Sequence, residues 1–224
     1  MNLPLVRLAS DRGAIEAAAM TLRRGGLVVF PTDTVYGVGA DPFSPDALEA
    51  LFRAKLRPRD KAIPLLLAHT AQMSDVARQI PPLALALAEA FWPGGLTLVL
   101  PRAPHLPAAL CAGGDTIAVR IPDHPVALAL IEAFGGPLAA TSANLSGSAP
   151  AITAQEAQRA LGDVVDLILD GGRSPLAEAS TIMDLTVEPP RILRQGALPT
   201  EKLLAVVQRF TSSGRAASTE LSRG

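Results

Sequence analysis

The chain is 224 residues long, 49% hydrophobic and close to neutral, with a formal net charge of −1. That length can bury one sizeable core, and the charge provides no global basic field for a nucleic-acid backbone, so tight tRNA or DNA binding is disfavoured. A single cysteine, Cys111, excludes an internal disulfide, and no Cys/His cluster at ligand spacing surrounds His69, His105 or His124, so no protein-only metal site is expected. No signal peptide and no apolar run of about 20 residues appears, which predicts a cytoplasmic protein with no membrane partner.

Helical and strand patterns alternate along the chain. This predicts an α/β fold with a mixed sheet, one domain over residues 1–210, and a polar tail over 211–224 expected to be disordered. Residues 13–24 read as a helix ended by Gly25 and Gly26, and 27–30 as a short buried strand. Pro31 cannot donate to a sheet ladder, so the chain leaves the sheet there with Thr32, Asp33, Thr34 and Tyr36 at its mouth. Gly37 and Gly39 are then expected to let backbone approach a ligand. Taken alone, Thr32-Asp33-Thr34 reads more readily as an Asx or ST turn capping the next element, and the other segments shift that weighting.

Ser44 is an N-cap followed by Pro45 in the first helical turn, and Leu48, Leu51 and Phe52 form one apolar stripe, giving a helix to about Lys55. A strand over 63–67 follows, then helices near 70–78 and 81–91, closed by Trp92-Pro93-Gly94-Gly95. Strands are expected over 96–100 and 116–121, a helix from Asp123 to about Phe134, and a strand over 138–141. Thr153 with Glu156 has capping-box spacing for another helix. Strands near 165–169, 180–185 and 191–194 and a helix over about 199–210 complete the chain.

Four places carry chemistry. Lys55, Arg57, Arg59 and Lys61 put four cations into seven residues. Such a run suits a polyphosphate or merely complements a helix C-terminus. Only three lysines accompany 17 arginines, and two of the three lie here, as though a compact ammonium were needed. In the strand 116–121, Thr116, Ala118 and Arg120 share one face, and an arginine beside small neighbours implies open space. Arg120 is there either for a carboxylate or phosphate, or as half of an ion pair with a protein acid. Thr141-Ser142-Ala143-Asn144 at a strand exit is a natural anion cradle or an ordinary turn. Ser180 and Arg194 mark two further polar strand ends. No P-loop, dinucleotide fingerprint or nucleophile elbow occurs.

In this order, the segments 31–39, Lys55-x-Arg57-Pro58, 92–97, 118–122, Ser142-x-Asn144-x-Ser146-Gly147 and 180–182 resemble the YrdC-type threonylcarbamoyl-AMP synthases over about residues 13–207. The resemblance implies one YrdC-like α/β domain with a twisted mixed sheet around a concave pocket. It implies a nucleotidyltransferase reaction in which L-threonine, bicarbonate and ATP give L-threonylcarbamoyl-AMP and pyrophosphate. A separate transferase complex, met at most transiently, then modifies tRNA. By motif position, Thr34, Arg120, Ala140 and Ser180 would meet threonine. Lys55, Arg57 and Lys61 would meet the phosphates, and Thr116, Ser142, Asn144, Pro150 and Arg194 would line the nucleotide part. Lys55, Arg57 and Ser142 stand as the catalytic set, with Mg²⁺ carried in on ATP. Positions just after Lys61 are shifted by one residue against the commoner Lys-Pro-Leu form. Two other readings are an RNA-binding module using a basic rim and a carbamoyl transferase of the hydrogenase-maturation type.

Overall fold

The computed structural model describes residues 4–221, and of residues 213–221 the backbone alone. A short edge strand, β1 (Leu5–Leu8), precedes helix α1 (Ala14–Arg23), which enters through Gly13 in the left-handed region, φ 78°. β2 (Val28–Phe30) is followed by β3 (Gly37–Ala40) and helix α2 (Pro45–Ala54), where the Ser44 hydroxyl accepts from the Ala47 N–H at 3.2 Å as its spacing predicts. β4 (Leu65–Leu66), the short α3 (Met73–Val76), α4 (Pro82–Phe91), β5 (Leu96–Pro101) and β6 (Thr116–Arg120) come next. The rest is α5 (Pro125–Phe134), β7 (Leu138–Ser142), α6 (Ala154–Leu161), β8 (Leu167–Asp170), β9 (Thr181–Asp184), β10 (Arg191–Arg194) and α7 (Thr200–Leu221). α7 runs on past position 210, where the sequence pattern stops it; residues 222–224 of the expected tail lie outside the described residues.

Among the described residues ten strands form one mixed sheet in the order β1-β8-β2-β3-β7-β4-β6-β5-β9-β10. β1, β8 and β2 run parallel, as do β4 with β6 and β5 with β9, while the pairs formed by β3, β7 and β10 are antiparallel. Helices α1 and α5 pack on one face over Val28, Phe30, Leu66, Leu138 and Leu167. The larger core fills the other face, from Val29, Val38 and Leu65 out to Leu203 of α7. Leu66 and Ala140 belong to the α1/α5 side and also line a cavity, so the cavity opens on that face, beside the helices.

β1 and β3 were not legible as strands. β3 reads Gly-Val-Gly-Ala, with the two residues least suited to a strand at alternate positions. Their reason is packing: a Cβ on Gly39 would lie 2.9 Å from Phe30 Cε1, and one on Gly37 3.3 Å from Phe30 Cζ. The expectation that these glycines admit a ligand is therefore corrected at Gly39, which makes room for the fully buried Phe30 ring. Burying a side chain of that kind contributes roughly 1.5–3 kcal/mol.

Candidate functional site

A cavity of about 500 Å³ lies against β6, β5 and β9 and is walled by the loops that leave β2, α2 and β7, by the segment that enters β9 and by β10. Its floor is the face read from the sequence: Thr116, Ala118 and Arg120 all line it, while Ile117, Val119 and Ile121 turn into the core. The neighbouring strand contributes Thr97 and Val99 to the same floor. Strand alternation thus supplies the polar floor and part of the hydrophobic core from one segment.

The loop after β2 folds back on itself through its hydroxyls. Thr32 Oγ1 donates to the Val35 carbonyl at 2.6 Å and lies 3.0 Å from Thr34 Oγ1, which lines the cavity. Between the two threonines sits Asp33, 3% exposed, whose Oδ1 accepts from Arg120 Nη2 and from the Asp123 N–H at 3.1 Å. Arg120 also donates through Nη1 to Thr34 Oγ1 at 2.7 Å and through Nε to the Gly94 carbonyl at 2.8 Å. So Arg120 is both things its strand position allowed. It pairs with a protein acid and faces the cavity, with two of its five N–H groups not spent on these partners. Burial holds its guanidinium below the usual arginine range, opposed by Asp33 and reinforced by the like charge of Arg194.

Tyr36 turns its hydroxyl the other way. It donates to the Gly172 carbonyl at 2.6 Å and accepts from the Gly171 N–H at 3.3 Å, pinning the segment after β8 against this loop. Burial, with Asp170 nearby, pushes the phenol up to about 12, so it stays protonated in its donor role.

The four-cation run is divided residue by residue. Lys55 is 1% exposed and does not line the cavity; its ammonium donates to the backbone carbonyls of Ser142 and Asn144. Its own carbonyl accepts from the Ser146 N–H at 2.9 Å, so Lys55 holds the loop after β7 from behind. Burial first, and Arg57 second, pull the ammonium down to about 8. Arg57 does line the cavity and is steadied by the carbonyls of Lys61 at 3.3 Å and Ala62 at 2.6 Å, both neutral partners. Arg59 turns away to Glu49 and lies over the Phe52 ring at 4.7 Å. Lys61 is exposed and outside the cavity lining.

The loop held by Lys55 presents Ser142 and Asn144 to the cavity. Both N–H groups of the Asn144 amide are directed at carbonyls, Leu145 at 2.8 Å and Ser148 at 2.7 Å. This fixes the amide oxygen the other way, where it is buried without a protein donor. Across the cavity, Arg194 brackets the Ser180 carbonyl with Nε at 3.0 Å and Nη2 at 2.8 Å, and Nη2 reaches the Ser180 hydroxyl at 3.2 Å. The Ser180 hydroxyl in turn meets Thr97 Oγ1 at 2.7 Å.

Of the residues singled out from sequence, Thr34, Arg57, Thr116, Arg120, Ala140, Ser142, Asn144, Pro150, Ser180 and Arg194 come together around this cavity; Lys55 and Lys61 do not enter its lining. Thr97 and the role of Asp33 were missed. Thr97 alternates in step with Val99, a period-two signal that could have placed it on the floor. Three cations near the cavity, Lys55, Arg57 and Arg194, direct their hydrogen bonds at neutral oxygens, with Asp60 the acid nearest in effect to Arg57, which leaves charge to suit an anionic ligand.

Three comparisons bear on this geometry. The Sua5/YciO/YrdC family model, described as "Telomere recombination", matches residues 20–196. A threonylcarbamoyl-AMP synthase of Pyrococcus abyssi is 42% identical over 202 residues, covering 90% of this chain and 59% of that protein. A putative threonylcarbamoyl-AMP synthase of Mycobacterium tuberculosis is also 42% identical, covering 88% of this chain and 90% of that protein. Among solved structures, P. abyssi Sua5 complexed with L-threonine superposes with a TM-score of 0.87 at 40% identity, covering 92% of this chain and 60% of that one. The chain thus spans about three fifths of the Pyrococcus protein and most of the mycobacterial one.

Proposed function

The chain belongs to the Sua5/YciO/YrdC family, and on that premise we propose that it makes L-threonylcarbamoyl-AMP from L-threonine, bicarbonate and ATP, releasing pyrophosphate. The observation that carries this reading is the division of charge in the cavity. On one wall Arg120 is matched by Asp33, leaving a nearly neutral, polar surface suited to a zwitterionic amino acid. On the other walls Arg57, with Asp60 nearby, and Arg194 face the space hydrogen-bonded to carbonyl and hydroxyl oxygens, and Lys55 stands behind the Ser142 loop. That surface suits a polyphosphate.

In this reading Thr34, Arg120, Ala140 and Ser180 meet threonine, and Arg57, Thr116, Ser142, Asn144, Pro150 and Arg194 meet ATP. Lys55 contributes its charge and the shape of the loop, and Lys61 an exposed cation whose carbonyl holds Arg57. The threonine nitrogen bonds to the carbon of bicarbonate, giving the carbamate with loss of water and a proton. A carbamate oxygen then attacks the α-phosphorus, the bond to the bridging oxygen breaks, and pyrophosphate leaves. Neither step needs a covalent protein nucleophile; alignment of the two reactants and neutralisation of phosphate charge are what this chain supplies.

Mg²⁺ entering with ATP would share the phosphate charge, and the Asn144 amide oxygen, a buried acceptor with no protein donor, fits a cation there. The product would pass to a separate tRNA-modifying transferase, with weak or no tRNA contact by this chain itself. Pyrophosphate release measured with all three substrates, and with threonine, bicarbonate and Mg²⁺ omitted in turn, tests the proposal. Release is expected only from the complete mixture, and release unchanged without threonine would overturn it. A salt titration of tRNA binding should give a shallow slope.

A further inference from the structure

The two edges of the sheet are built differently. β10 follows Pro189 and Pro190, carries Arg191 and Arg194, and pairs with β9 through a register shift between Ile192 and Arg194. Charge, proline and a bulge are the usual guards of a free edge against another strand. At the other end, β1 keeps a regular register with β8 and reads Leu5-Val6-Arg7-Leu8, with Leu5 51%, Val6 43% and Leu8 57% exposed. Within the strand, one arginine is the whole guard.

The free hydrogen-bonding groups along β1 follow from the period of the strand. The N–H groups of Leu5 and Ala9 donate to the β8-side carbonyls of Asp166 at 3.2 Å and Asp170 at 2.7 Å, so odd positions turn inward and even positions outward. Outward lie the Pro4 carbonyl, both backbone groups of Val6 and the Leu8 N–H, none with a partner among the described residues. The Leu8 carbonyl also points outward but accepts from the Asp11 N–H at 3.0 Å, in the turn that ends the strand. Pro4 has no N–H to offer.

A second copy of the chain fits this row in one register. A two-fold axis normal to the sheet keeps each side chain on its own face, so residues that meet across it share parity and the axis passes through a residue position. Centred on Val6, the two Val6 residues exchange both of their hydrogen bonds, and each Leu8 N–H meets the Pro4 carbonyl of the other copy. The reverse bond, from Pro4 to Leu8, is the one that neither end requires, since the proline lacks the donor and the carbonyl is already taken. Every free group on the edge is then matched. Centring on Arg7 sets two like charges directly opposite and leaves the Pro4 carbonyl unpaired, and centring on Leu8 runs into the turn at Asp11. Centring on Leu5 leaves the Leu8 N–H without a described partner. In the Val6 register, Val6 and Leu8 lie against Val6 and Pro4 of the other copy on one face, and Leu5 lies against the apolar stem of Arg7 on the other.

We propose that β1 is an interaction surface for a second copy of this chain, pairing antiparallel about a two-fold axis at Val6 so that two sheets become one. β1 stands at the opposite end of the sheet order from β9 and β10, so the contact leaves the cavity open. A four-residue strand buries little area, which places the dimer in the weak, concentration-dependent class below about 1,200 Å².

Sedimentation equilibrium of the full chain tests the pairing. The average mass should climb from that of one chain toward twice that value between about 10 µM and 1 mM. Val6→Pro removes the central donor at an edge position that tolerates proline, and should stay monomeric over the same range. Disulfide formation reads the register, with Cys111 buried and out of reach. Leu5→Cys mixed with Arg7→Cys should give the mixed disulfide, because a non-hydrogen-bonded pair sets Cα atoms about 4.5 Å apart, within bridging range. Arg7→Cys alone should stay unlinked. If Val6→Pro fails to unfold cooperatively, the oxidation carries the test. Wild type that is monomeric at about 1 mM, a mass gain that Val6→Pro leaves intact, or linkage through Arg7→Cys alone would overturn the proposal. So would Val6 and Leu8 amides protected from exchange at every dilution, since the edge would then be covered within one chain.

Discussion

Lys55 and Asn144 lie 89 positions apart, and the ammonium of the first donates to the backbone carbonyl of the second. With a second bond to the Ser142 carbonyl, this one side chain fixes the loop that closes the cavity opposite β9. Its charge is therefore felt through the loop as well as across space.

Because burial holds the Lys55 ammonium near 8, below the usual 10.5, it is charged at neutral pH and loses its proton in mildly alkaline solution. The KM for ATP should be flat below about pH 8 and rise above it. In Lys55→Met the KM should be high throughout, by about tenfold or more, and without that rise. For folding the sign is opposite. Between about 8 and 10.5 the unfolded chain binds more protons than the folded one, so this group's contribution to stability grows with pH. Removing the side chain also leaves two carbonyls without their donor, which should cost about 1–3 kcal/mol in urea unfolding at neutral pH.

Arg120→Lys keeps a positive charge beside Asp33 and loses the planar fork. The threonine KM should rise tenfold or more, equivalent to about 1.4 kcal/mol, while the KM for ATP changes little. Steady-state kinetics with each substrate varied in turn checks this. Collapse of ATP affinity with threonine affinity intact would reassign Arg120 to the phosphates.

Serine should be a poor alternative to threonine. The floor near Ala140 and Leu66 is apolar, and a missing methyl forfeits about 1 kcal/mol or more of burial there. The ratio of kcat/KM for the two amino acids measures it, and equal values would count against this placement of the side chain.

Gly196 has a structural duty next to the site. A Cβ there would stand 2.0 Å from the Ala179 carbonyl oxygen, while the Gly196 N–H donates to Thr181 Oγ1 at 2.9 Å. Gly196→Ala should cost about 1–3 kcal/mol or more by denaturant unfolding and should displace the Ala179–Ser180 wall. Threonine binding should therefore weaken along with stability.

What could be read from the sequence followed regular periods. The Thr116, Ala118 and Arg120 face and the caps at Ser44 and Thr153 each rest on a fixed local spacing, and each is present. The run from Lys55 to Lys61 has no such period. Its four cations point to four destinations: loop carbonyls, cavity, Glu49 and the exterior. The partnership of Asp33 with Arg120 spans 87 positions, and only the sheet order brings them together. β3 stayed hidden because its glycines answer to the Phe30 ring rather than to strand propensity.

The order of the sheet has a consequence for synthesis of the chain. β5 lies between β6 and β9, and β9 is followed in space only by β10, so the floor carrying Thr97 and Arg120 is flanked by strands made more than eighty residues apart. Such pairings pay loop closure before any contact rewards them. A chain emerging from the ribosome therefore lacks the wall carrying Ser180 and Arg194 until β9 and β10 have been made. Ser180 and Arg194 arrive after nearly all the rest, and ligand binding reports on completion of the whole sheet, so saturating nucleotide should protect amides of β1 and β10 alike from exchange.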